Sequence, residues 1–248
     1  MFPDRRRLTQ SLLLTVVRAR ADPLSVRLIA ALLVIAAALT AVGFARHEDR
    51  MREQDRLAEI ASDLAGRRIE VRCPSFLVGL VDTHGEAGRV QFDEHGRPAD
   101  RTDLSPQTCK ALRRIERVDF TCITRGDCGF DEFQAGWAAH TLAHEAFHLR
   151  GVQDEGVTEC YALQNTAYVA ERLGVATADA RRLRAWLYLK GYPNEPEEYR
   201  SSQCYDGGPL DLRPQQTAFP LTALHFGRDV LDLAADDVGA DLIDLRHL

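Results

Sequence analysis

The sequence predicts an α+β domain, strands first and a helical hairpin second, preceded by one membrane-crossing helix. Three observations carry this expectation. Residues 28–45 (LIAALLVIAAALTAVGFA) contain no charged side chain. Short β-forming runs punctuated by Gly and Pro occupy the stretch from Arg68 to Ile123. Beyond residue 130, three helical patterns follow one another, separated at Gly151 and Gly174, the residue type that ends helices in the left-handed conformation.

The chain has 248 residues, enough for one sizeable domain and its appendages. Eighteen uncharged residues lie at the short end of what crosses a bilayer as a helix. A buried core helix would not be flanked by Arg27 and Arg46. Residues 1–27 form a basic N-terminus, with Arg5, Arg6, Arg7, Arg18, Arg20 and Arg27 against Asp4 and Asp22. That asymmetry predicts a cytoplasmic N-terminus and an extracytoplasmic remainder, anchored in the cell membrane by the single pass 28–45. Ala41-Val42-Gly43 and Gly43-Phe44-Ala45 resemble signal cleavage sites, and cleavage there would secrete the domain. The long preceding segment favours the anchor.

Residues 46–248 carry 25 basic and 35 acidic side chains, a balance that speaks against a nucleic-acid partner. Cys73, Cys109, Cys122, Cys128, Cys160 and Cys204 all follow the apolar run. In an oxidising compartment an even set predicts up to three disulfides, and no C-x₂-C pair suggests a Cys₄ zinc site. Cys122 and Cys128 bracket a turn-like stretch and could pair locally.

The remaining elements follow in order. Residues 46–66 place Met51, Leu57, Ile60, Ala61 and Leu64 at helical spacing within a charged run, which predicts a solvated helical stalk. Arg68–Ser75, Gly88–Asp93 and Val118–Ile123 read as strands. Ser105 caps, and Pro106 opens, a helix to about Ile115. Asp131 caps a helix that runs to about Arg150; Asp154 caps the next, from Glu155 to about Leu173; Thr177 caps a third that runs through Lys190. Residues 67–206 then form the main domain. Residues 207–248 form a C-terminal tail that starts as a loop, with one or two peripheral helices beyond Leu221.

The chemistry lies in His144-Glu145-Ala146-Phe147-His148. Residues four apart share a helix face, so both imidazoles aim at one spot with Glu145 beside it. Two neutral imidazoles suit Zn²⁺, and a carboxylate there can take a proton from its water. A hydrolytic site needs a third protein ligand. Gly151 breaks the helix, and in the resulting antiparallel hairpin His148 faces Glu155 while His144 faces Glu159. One arrangement makes Glu155 the ligand and lets Glu159 accept the spare N–H of His144. A small change of register exchanges the two, and in a third reading both are solvated acids favoured by the helix dipole. His140 extends the ladder but lies too far from His148 along the axis to share one ion, so it reads as structural or substrate-side.

On these residues the chain resembles a zincin metallopeptidase. Glu155-x-x-x-Glu159 is similar to the E-x-x-x-D helix of gluzincins. The resemblance implies a zincin-like domain with His144, His148 and Glu155 as zinc ligands, Glu145 as the base and Glu159 as support for His144. The spacing from His148 to Glu155 is shorter than in most gluzincins, and Glu stands where Asp is usual. His144-Glu145-x-x-His148-x-x-Gly151-x-x-Asp154 is also similar to the snapalysin-type metzincin pattern, which implies Asp154 as the third ligand; the methionine turn of that group has no counterpart here. Either resemblance implies hydrolysis of a peptide or protein substrate by a zinc-bound water with Glu145 as general base, aided by an oxyanion partner such as Tyr161, Tyr168 or His140. An inert zinc-binding ectodomain serving recognition is the alternative, and intact Glu145 speaks against it. A cysteine hydrolase built on Cys160 is weaker still, because Cys160 sits mid-helix and suits a disulfide.

Overall fold

The computed structural model describes residues 23–74 and 86–214. Two units divide the chain, Met1–Met51 and Arg52–Leu248, and the division falls within helix α1 (Pro23–Ala65).

In the first unit α1 has no face that excludes water. Leu28, Ile29, Leu32, Leu33, Val34, Ile35 and Leu39 are each more than half exposed. Thr40, the one polar side chain of the apolar run, shares its hydroxyl proton between the carbonyls of Ala36 and Ala37 at 3.0 and 2.8 Å, so it needs no water. With a mean hydropathy of 2.6 over its apolar window, this is the one helix among the described residues long and apolar enough to cross a membrane.

The second unit begins within α1, and the expectation of a solvated stalk over 46–66 is corrected for residues 52–65. Leu57 and Ile60 are 1 % exposed and Ala61 is fully buried. The Ser62 hydroxyl accepts the Ile69 N–H, and Gln54 Oε1 accepts the Cys73 N–H. The charged residues of this run lie on the opposite face, where Glu59 pairs with Arg172. The periodicity that reads as a solvated helix is therefore the amphipathic pattern of a core helix.

Strands β1 (Glu70–Arg72), β2 (Gly88–Phe92) and β3 (Pro98–Leu104) form a mixed sheet in the order β1-β3-β2. β3 runs parallel to β1 and antiparallel to β2. The strand expected over Val118–Ile123 is corrected: that stretch leads from a 3₁₀ turn (Ile115–Arg117) into helix α3 (Cys122–Arg125). The third strand is Pro98–Leu104 (PADRTDL), whose polar composition hides a buried pair, Thr102 and Leu104.

Helix α2 (Pro106–Leu112) starts as the sequence indicates, with the Ser105 side chain accepting the Thr108 N–H and Pro106 in the first turn. Helix α4 (Phe130–Leu149) is capped at Gly129, whose N–H donates to Glu132, and Asp131 lies inside the first turn instead of capping it. Gly151 takes φ +105°, a value that favours glycine, and turns the chain back into α5 (Glu155–Arg172). Helix α6 (Thr177–Trp186) starts at Thr177 itself, with Ala176 in the cap position expected of Thr177, and passes into a π turn at Leu187–Gly191.

Three disulfides join Cys73 to Cys109, Cys122 to Cys128 and Cys160 to Cys204. They tie the end of β1 to α2, close the turn before α4, and pin the segment after α6 to α5. Disulfides of this kind form and persist in oxidising surroundings. The start of the tail docks on α5, where Gln164 donates to Leu210 O and accepts from Leu212 N–H. The helices expected beyond Leu221 lie outside the described residues.

Because Ile60 belongs to the core, Ile60→Ala should destabilise the second unit by about 2–5 kcal/mol in denaturant unfolding. A loss within roughly 0.5 kcal/mol, the usual range for a surface position, would return residues 52–65 to a stalk.

Candidate metal centre

α4 is an alanine-rich helix buried on nearly every side: Ala135, Ala138, Ala139, Ala143 and Ala146 are at most 3 % exposed. Small side chains let α5 and the sheet approach closely. His140, His144 and His148 occupy successive turns of one face. They are buried at 2, 8 and 6 % exposure, and α5 answers them with Glu155, Glu159 and Thr166.

The hydrogen bonds fix the orientation of each ring. His148 Nδ1 lies 2.7 Å from Val152 O. A carbonyl only accepts, so the proton is on Nδ1 and the Nε2 lone pair of the neutral ring points the other way. There it meets Glu155 Oε2 at 3.2 Å. His144 Nδ1 likewise faces Glu159 Oε2 at 3.0 Å, and His144 Nε2 meets the same Glu155 Oε2 at 3.0 Å. Two imidazole lone pairs and one carboxylate oxygen thus converge, an arrangement that repels itself unless a cation or an extra proton sits among them.

The electrostatics agree. Burial opposes a charge on His144, but hydrogen bonds to Glu155 and Glu159 outweigh it and push the imidazole from 6.5 to about 10. Burial also opposes ionisation of Glu155, yet His144 and His148 draw it down to about 2. Glu159 is drawn to about 2 by His140 and His144, again against burial. Without an ion, one imidazolium proton between the glutamates does the neutralising. A metal ion would do the same with its own charge, so the donor set fits a cation.

Two groups of donors could hold one among the described residues: His144, His148 and Glu155, and the deeper His140, His144 and Glu159. They differ in access. Glu155 keeps 37 % of its side chain exposed, whereas Glu159 is nearly sealed. Both Glu159 oxygens lie 2.9 Å from His140 Nε2. His140 Nδ1 faces Thr166 Oγ1 at 3.2 Å, and that hydroxyl donates to Ala162 O. The deeper group is thus a hydrogen-bonded chain behind His144. Asp154, the alternative third ligand, accepts the Val157 N–H as the cap of α5 and belongs to neither group.

Glu145 lies on the sheet side. A Cβ at Gly88 would sit 2.7 Å from Glu145 Cγ and Oε1, so glycine is what lets β2 cross this side chain. Burial pushes the Glu145 carboxyl up, with His144 and His148 opposing. Its nearest hydroxyl, Thr102 Oγ1, stands at 3.5 Å and donates to Arg89 O. The carboxylate is left available to accept a proton.

These groups line a cleft of about 610 Å³ that runs from Phe92 and His148 past Glu145 to Trp137. Of the oxyanion partners expected from sequence, Tyr161 packs against Phe147 at 5.3 Å and Tyr168 donates to Asp63. Neither lines the cleft, and His140 is held by Glu159. The tyrosine that does line it is Tyr199, with its ring 5.8 Å from that of His144. Burial and then Glu155 push its phenol up to about 12, so it remains an O–H donor. It stands on a 3₁₀ turn (Glu197–Tyr199), in a segment held by the Cys160–Cys204 disulfide and by Tyr192, whose hydroxyl accepts the Ser201 N–H. No local pattern announces Tyr199; only the disulfide partner of Cys160 would have brought its segment to the site.

Compared with protein-family models, curated proteins and solved structures, the chain matches none.

The two donor groups are separable by substitution. If His144, His148 and Glu155 hold the ion, His148→Ala should abolish uptake of a divalent cation such as Zn²⁺, measured on purified protein by metal analysis. His140→Ala should retain the ion, with affinity lowered by about 10–100-fold. The opposite pattern would move the site to the deeper group.

Proposed function

We propose that this chain is a membrane-anchored zinc peptidase whose second unit works outside the cytoplasm. The observation that carries the reading is the convergence of His144 Nε2, His148 Nε2 and Glu155 Oε2 beside a buried glutamate in an open cleft. Donor separations of 3.0 and 3.2 Å approach the edges of roughly 3.3–3.4 Å that four ligands about 2.0–2.1 Å from one zinc ion would have. Held by these three residues, zinc supplies a Lewis acid toward a carbonyl oxygen and lowers the pKa of water.

The chain's own residues do the rest. Val152 O fixes the His148 ring and Glu159 fixes that of His144, so both keep Nε2 turned toward the ion site. Glu145 accepts the proton of the attacking water and hands it to the leaving amine. Tyr199 directs its O–H at the oxygen on which negative charge develops. Peptide substrates are favoured because β2 is an edge strand of the sheet and lines the cleft through Gly88, Arg89, Val90 and Phe92. An extended backbone can add to such an edge. The arginine-rich residues 1–27 support a cytoplasmic N-terminus in the cell membrane, and three disulfides support the extracytoplasmic domain.

Glu145→Gln should abolish peptide hydrolysis while zinc content stays at one per chain. Tyr199→Phe should lower kcat by about 10²–10³-fold, with zinc content again unchanged. Turnover that survives Glu145→Gln would refute the assigned base.

A further inference from the structure

We propose that the Trp137 end of the cleft takes a cationic group of the substrate, an ammonium or guanidinium, bound by the Glu195 carboxylate beside the Trp137 ring. The inference rests on the peptidase reading and deepens it by naming what the substrate carries.

Glu195 and Trp137 both line the cleft. Trp137 lies seven residues before His144 on α4, about 10 Å along the axis, so a group bound there is about three extended substrate residues, or one long side chain, away from the ion site. Gly191 lets the chain leaving the π turn press against the indole: a Cβ there would stand 3.0 Å from Trp137 Cζ3. Four residues further on, Glu195 lines the same cleft. Its Oε1 is buried and finds no hydrogen-bond partner among the described residues. Leaving a carboxylate oxygen in that state costs free energy unless something positive arrives.

Among the described residues, the positive groups of the cleft are already engaged by other acids. Glu159 is matched by His140 and His144, and Glu155 by the two ligand histidines. Arg89, the one cationic side chain of the cleft lining other than histidine, pairs with Glu86 at 3.8 Å. Burial, and then the nearby Glu159, push the Glu195 carboxyl up to about 7, the response of a carboxylate in want of a counter-ion. A cleft wall that combines an aromatic ring with an uncompensated carboxylate can receive a cation. A neutral apolar side chain would leave the buried oxygen unmatched, and an acidic one would be repelled.

A basic side chain and a free α-amino group share this chemistry, and paired hydroxamates separate them. The full-length zinc-loaded protein in detergent is titrated with Nα-acetyl-lysine and Nα-acetyl-norleucine hydroxamates, then with leucine hydroxamate and its Nα-acetyl form. One member of at least one pair, the cationic one, should bind tenfold or more tightly than its neutral partner. The pair that shows the gain identifies the source of the charge. In Glu195→Gln, checked for retained zinc, the ratio should fall to about one. Equal affinities within both pairs, or a gain that survives Glu195→Gln, would overturn the cationic subsite and leave the peptidase reading standing. Failure of all four probes to bind the zinc-loaded protein would remove the open metal position, and the subsite with it.

Discussion

One carboxylate oxygen, Oε2 of Glu155, stands 3.0 and 3.2 Å from two imidazole nitrogens whose rings already place a proton at Nδ1. Three electron pairs therefore face one point inside the protein, and the surrounding structure holds them there. The reversal at Gly151 sets the register of α5 against α4, Asp154 starts α5 at the right residue, and Val152 O catches the His148 ring within the turn itself. Slipping α5 by one residue would turn both acids about 100° away from the histidine face. The site is thus a consequence of the turn as much as of the motif.

Burying so much polarity is costly unless every group finds a partner. Around the histidines the chain answers this with a ladder that continues behind the site, from His144 through Glu159 and His140 to Thr166, whereas Glu195 Oε1 is left without a partner among the described residues. An alanine-rich α4 lets the ladder be enclosed, and the disulfides hold the segments that enclose it. Cys160 sits one residue after Glu159, and its bond to Cys204 fixes the stretch that brings Tyr199 and Glu195 to the cleft. The Cys160–Cys204 bond is in this sense part of the cleft wall opposite the motif helix.

Much of this was legible in the sequence. The His144/His148 pair, the hairpin at Gly151 and the facing of Glu155 and Glu159 follow from a four-residue helical repeat and a glycine stop, both local rules. The apolar run was legible for the same reason. The stalk was misread because amphipathic periodicity does not say whether a helix's apolar face meets a core or only itself. The third strand was missed because PADRTDL is polar and opens with proline; its place beside β1 is a tertiary fact. Tyr199, Glu195 and Trp137 were invisible as a group because a disulfide and the close approach at Gly191, and not sequence proximity, bring them together.

In the proposed centre His144, His148 and Glu155 hold one ion with a coordination position left open, which X-ray absorption at the zinc edge on the loaded full-length chain can resolve. The spectrum should show two imidazole nitrogens, one carboxylate and at least one exchangeable oxygen that an added hydroxamate replaces. A shell closed by four protein donors, or one containing sulfur, would contradict this assignment.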